Sequence, residues 1–167
     1  MSGYGTDQGF ADYLAAQGLT LPDDAPPVAV LLQAGSSYVD AAYEHRLQCS
    51  QRADGFDQEL AWPRRGHKMN GHAVPVDFIP TQWIEASYRA AYLQGTASGW
   101  TTSGSDPGRQ VRRQKVDVIE REFFAPGEAA GSQDIAPGMP FDAVINALVA
   151  PWLCSNARGP SSLFRVI

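Results

Sequence analysis

Leu60-Ala61-Trp62-Pro63-Arg64 decides how this chain is read. These five residues sit inside a stretch, 52–79, without helical periodicity, and helical patterns flank it on both sides. A residue before proline is held away from the α region, so Trp62 predicts an extended backbone. An indole held that way can lie across the two flanking helices and keep the loop down. Arg64 has two roles open to it: stacking on the indole, or pairing with an acid of the loop. The expected role of Trp62, Pro63 and Arg64 is a structural clasp without chemistry of its own. Leu60, Val74, Val76, Phe78 and Ile79 predict that the stretch is pinned to the core, and Asp54-Gly55 and Asn70-Gly71 mark turns within it.

Upstream, a helix is predicted from Pro26 or Pro27 to about Gln51. Val28, Leu31, Leu32, Gly35, Tyr38, Val39, Ala42, Tyr43 and Leu47 recur at helical spacing. Gly35-Ser36-Ser37 lowers helix propensity in its middle and marks a place for a kink. Downstream, Pro80 heads a second long helix whose stripe is Trp83, Ile84, Tyr88, Ala91 and Tyr92, with Gly95 as its stop. A short first helix is expected over 7–17, capped by Thr6 and ended by Gly18. A last one is expected from Pro140 to about Leu153, kinked or cut short by Pro151. Residues 111–124 read as a strand or half of a hairpin. The fold class is therefore mainly α: a small bundle of about four helices with a long Trp-Pro loop, a β-hairpin insertion and an extended carboxy-terminal arm. The expected division is a helical domain over 1–153, with a flexible insertion at 96–139, and an arm over 154–167.

The net charge is −5 and the pI about 5.0, so the chain lacks the basic footprint of a duplex-binding domain. One basic cluster exists: Arg109, Arg112, Arg113 and Lys115. It suits contact with a phosphate backbone, which reads no sequence, or with a neighbouring protein. The plainer reading, a solvated hairpin face balanced by Asp117, Glu120 and Glu122, is preferred. Aromatic residues interleaved for base stacking are missing beside it.

Cys49 and Cys154 form no CxxC pair and are expected as two half-buried thiols of a reducing compartment. His45 would lie one helical turn from Cys49. With His67 and His72, however, the spacing does not suit a structural zinc site, and His67 and His72 read as solvated loop residues. Gly95-Thr96-Ala97-Ser98-Gly99 lacks the lysine of a phosphate loop. No catalytic, metal or cofactor residues are expected, and the protein is not expected to be an enzyme. Neither a signal peptide nor a bilayer-spanning stretch is legible, so no membrane partner is expected. Trp100, in a polar loop, is the tryptophan expected at an interface.

From a Tyr-containing first helix through the long helix, the Gln58-Glu59-Leu60-Ala61-Trp62-Pro63-Arg64 loop, the Ile79-Pro80 helix and a final helix, the chain resembles a family of tailed-phage proteins labelled DnaT-like single-stranded-DNA-binding proteins. The resemblance covers residues 4–153. The label implies DNA binding. The arrangement also looks like phage head–tail connector, or adaptor, subunits, which form a ring, typically dodecameric, beneath the portal. That resemblance implies a virion structural protein of the neck, assembled in the host cytoplasm. Its partners would be the portal protein, a tail-side connector or tail terminator, further copies of itself, and packaged DNA passing through the channel. Leu163, Phe164, Arg165, Val166 and Ile167 would then be the portal-binding arm, while 109–115 would face a neighbour or the channel. The acidic charge, the Gly-rich segments and the apolar end favour this adaptor reading. The alternative is a phage replication accessory protein that binds single-stranded DNA.

Overall fold

The computed structural model describes residues 3–102, 111–115, 120–123, 135–136 and 138–154. Four helices make its frame: α1 (Asp7–Gln17), α2 (Val28–Tyr43), α3 (Thr81–Thr96) and α4 (Ala143–Val149). The architecture is mainly α. Six short strands pair antiparallel in three two-stranded ladders: β1 (Gln51–Arg52) with β2 (Arg64–Arg65), β3 (Lys68–Met69) with β4 (His72–Ala73), and β5 (Val111–Lys115) with β6 (Glu120–Phe123).

Local chemistry sets the helix ends. The Thr6 hydroxyl accepts from the Gly9 amide, and Gly18 ends α1 in the left-handed conformation at φ 64°. Pro80 caps α3, and the Asp142 carboxylate caps α4 by accepting from the amides of Val144 and Ile145. Pro151 ends α4 early, in a 3-10 turn over Ala150–Trp152.

Helices α2 and α3 pack along their length, and Gly35 explains how closely. A Cβ at Gly35 would collide with the Ser87 carbonyl and come within 2.7 Å of the Ala91 amide nitrogen. The Gly-Ser-Ser stretch predicted as a kink is therefore a close helix crossing within one continuous helix. It serves packing rather than bending. Helix α4 lies on α3, where Arg89 pairs with Asp142 at 3.3 Å and Trp152 donates its indole N–H to Gln82 at 3.3 Å.

Helix α2 stops at Tyr43 rather than near Gln51. A 3-10 turn over Glu44–Arg46 follows, and Leu47 is buried in a turn. Leu47 keeps helical spacing from Tyr43, so periodicity alone extended the helix. His45 and Cys49 consequently do not share a helix. Helix α3 runs one residue past Gly95, whose Cβ position is filled by Leu21 Cδ2 at 2.7 Å. Residues 52–79 are organised by the small ladders, with Asn70 (φ 50°) and Gly71 (φ 83°) supplying the tight turn between β3 and β4. The Trp62–Pro63 peptide bond is cis. Trp100, expected at an interface, is half-buried with its ring 4.8 Å from that of Tyr38.

Candidate functional site

Asp40, on α2, is the hub of the buried polar structure. Its carboxylate accepts from the Tyr4 hydroxyl at 2.9 and 3.0 Å, the Ala61 amide at 2.8 Å and the Trp83 indole N–H at 3.0 Å. The Tyr4 hydroxyl accepts in turn from the Trp62 amide at 2.9 Å. One carboxylate thus joins the amino-terminal segment, α2, the Trp-Pro loop and α3. Burial pushes Asp40 up to about 6, against the pull of its three donors. Burial, then the Asp40 charge, holds the Tyr4 phenol well above its ordinary range.

Arg64 is the second node, and it is 5% exposed. Its guanidinium donates to the Ala61 carbonyl (3.0 Å), the Leu47 carbonyl (3.0 Å), the Ser50 carbonyl (2.7 Å) and the Ser50 hydroxyl (2.8 Å). Its acidic partner is Glu44 at 3.5 Å, on the turn after α2 rather than in the loop. Arg52 holds the same carboxylate at 2.7 Å through two nitrogens. These bonds to Arg52, first among the causes, keep Glu44 below its ordinary value. Burial lowers Arg64.

The Trp62 indole, 1% exposed, meets Trp83, Trp152 and His67 edge-on at centroid distances of 6.0, 5.7 and 4.9 Å. His67 is buried, at 2%, and is not the solvated loop histidine expected. Its Nδ1 lies 3.1 Å from the Ser50 hydroxyl, and burial followed by the Arg64 charge lowers its pKa. His72 is exposed. Among the described residues, no group of His, Cys, Asp and Glu is placed to hold a metal ion.

The two cysteines are not free thiols. Cys49 and Cys154 form a disulfide across 105 residues of sequence, with Cα atoms 5.8 Å apart. The turn after α4 brings Cys154 beside the turn after α2, where its amide donates to the Arg46 carbonyl at 2.9 Å. Two lone cysteines so far apart in sequence carry no signal that they meet.

The insertion between α3 and α4 is tied to α2 at both ends. Trp100 packs against Tyr38 with its ring tilted on one side, and the Ala136 amide donates to the Ala42 carbonyl at 2.8 Å on the other, with Ile135 buried beside it. Arg112, Arg113 and Lys115 lie on β5, with Arg113 in register opposite Glu122 and Lys115 opposite Glu120. Arg109 and the proposed arm, Leu163, Phe164, Arg165, Val166 and Ile167, lie outside the described residues. The clasp and the basic cluster lie on different segments of the chain.

Charge divides between them. Residues 3–102 and 138–154 carry twelve acidic and six basic side chains. Of those six, at least Arg52, Arg64, Arg65 and Arg89 are bonded to protein acceptors. Residues 109–115 carry four basic side chains and no acid. The body thus offers little free positive charge to a phosphate chain.

The family described as "Putative DnaT-like ssDNA binding protein" matches residues 2–166, nearly the whole chain. No curated protein and no solved structure matches it. The family's description speaks for single-stranded-DNA binding rather than for an adaptor.

Proposed function

We propose a function from one premise: the chain belongs to the family of DnaT-like ssDNA binding proteins. On our reading it is a DNA-associated assembly subunit of a tailed phage. Its helical body makes protein contacts, and its basic strand, with Arg112, Arg113 and Lys115, faces DNA. The observation that carries this is the division of charge. The body is acidic and uses at least four of its six basic side chains internally, whereas 109–115 is purely basic, although its strand pairs with one that carries Glu120 and Glu122, and it belongs to an insertion anchored at both ends on α2. Such a protein touches DNA without gripping it, which suits a subunit lining a channel. We therefore place it at the head–tail interface of the virion, as a ring-forming adaptor between the portal and a tail-side protein. The apolar run Leu163, Phe164, Val166 and Ile167 is the portal anchor.

Deleting residues 160–167 tests this reading. The truncated chain is expected to keep its helical signal and lose binding to purified portal. Undiminished binding would refute the anchor.

The family's description favours a second reading, a replication accessory protein on single-stranded DNA. It requires tight oligonucleotide binding by the isolated chain, falling steeply with salt and dependent on Arg112 and Arg113. An anisotropy titration at low salt separates the two readings.

A further inference from the structure

We propose that the Cys49–Cys154 disulfide is a redox-sensitive latch, opened by small thiols, that ties the turn after α4 to the turn after α2. Cys49 is exposed and Cys154 half-buried. Both line an open cleft of about 670 Å³ together with His67, Lys68, Asn70 and Pro151. A small thiol can therefore reach the bond without the helices parting. The bond joins Cys154, just after the turn that ends α4, to the turn that follows α2.

The exchange balances as follows. A thiolate of a dithiol reagent attacks Cys49 Sγ, the more accessible sulfur. The S–S bond breaks, and its electron pair leaves on Cys154 Sγ, which takes a proton from water. The reagent's second thiolate then attacks the mixed disulfide. This leaves the Cys49 thiol and an oxidised cyclic reagent. His67 Nδ1, 3.9 Å from Cys49 Sγ, gives the new thiol a polar neighbour. Closure is the same exchange in reverse, with a small disulfide as oxidant.

Opening has a local effect because other contacts keep α4 in place. Trp152 stays packed on Trp62, and Arg89 stays paired with Asp142. At Cys154 itself the disulfide holds the amide in its bond to the Arg46 carbonyl, so opening frees that amide to exchange. On the function proposed above, the latch is open in the reducing host interior and closes after release. Only this timing rests on that reading.

The test uses the full chain alone, so its failure is independent of any portal or DNA result. Protein purified in air is denatured and its thiols titrated with a chromogenic disulfide. The latch predicts none, and two would overturn it. Hydrogen exchange is then followed with and without dithiothreitol. Reduction is expected to speed exchange at the Cys154 amide by about tenfold or more while α2 and α3 stay protected. The double variant C49S/C154S should match the reduced protein and ignore the reagent. Unchanged exchange at Cys154 on reduction, or loss of protection throughout the body, would overturn the latch.

Discussion

Tyr4 and Asp40 meet phenol to carboxylate, the hydroxyl 2.9 and 3.0 Å from the two acid oxygens, although 36 residues separate them. The same hydroxyl accepts the Trp62 amide, so a side chain near the amino terminus holds the Trp-Pro loop in register with α2. Removing the hydroxyl leaves a buried amide and a buried acid each short of a partner. Tyr4→Phe is expected to cost about 1–3 kcal/mol in urea unfolding. A loss under about 0.5 kcal/mol, as at an ordinary surface site, would remove the hub from the account.

Asp40 also gives the protein a specific pH dependence. Its folded-state pKa is raised from 3.8 to about 6, with burial as the main cause and the nearby Glu44 charge adding to it. A raised acid binds its proton more tightly in the folded chain. Its contribution is thus fully present below about 3.8 and is lost as pH rises through about 6. Glu44 runs the other way: its lowered value contributes stability at neutral pH that is lost in stronger acid. Between pH 7 and pH 5 the native protein should gain stability relative to Asp40→Asn, read from paired urea midpoints. Parallel curves would show that Asp40 does not titrate there.

Arg64 tests the difference between a fork and a point charge. Its planar guanidinium serves three carbonyls and a hydroxyl at once. An ammonium cannot reproduce that spread. Arg64→Lys is expected to destabilise by about 1–2 kcal/mol and Arg64→Ala by about 3 kcal/mol, because buried carbonyls lose their donor. Equal effects in denaturant titrations would mean that only side-chain volume matters there.

Gly35→Ala separates helix propensity from packing. Alanine is favoured over glycine in a helix by about 1 kcal/mol. Here its methyl would press on the backbone of α3 at Ser87 and Ala91. A net loss of about 1–3 kcal/mol in thermal or urea unfolding is expected. A stabilised variant would mean that the two helices can separate freely.

Features encoded locally were legible in the sequence. Thr6 and Gly18 bound α1, Pro80 heads α3, Asn70-Gly71 turns between β3 and β4, and Pro151 stops α4. Each works through its own backbone, so a few neighbouring residues suffice to read it. The Asp40 hub is different, because its donors come from Tyr4, Ala61 and Trp83, on three separate segments. Nothing in the residues around Asp40 marks it as more than a polar position on α2. Gly35 read as a weak point because its purpose lies on α3. The disulfide stayed hidden because only the fold brings Cys49 and Cys154 together. Leu47 misled in the opposite direction, by keeping a helical spacing that its turn does not use.

On the proposed function, the acidic body makes protein contacts and leaves DNA to the basic strand. Electron microscopy of the purified chain mixed in excess with the purified portal of the proposed source phage tests it most directly. A closed ring of added density is expected on one end of the portal, with the insertion reaching toward the axis. Portals that remain bare at saturating chain would contradict it.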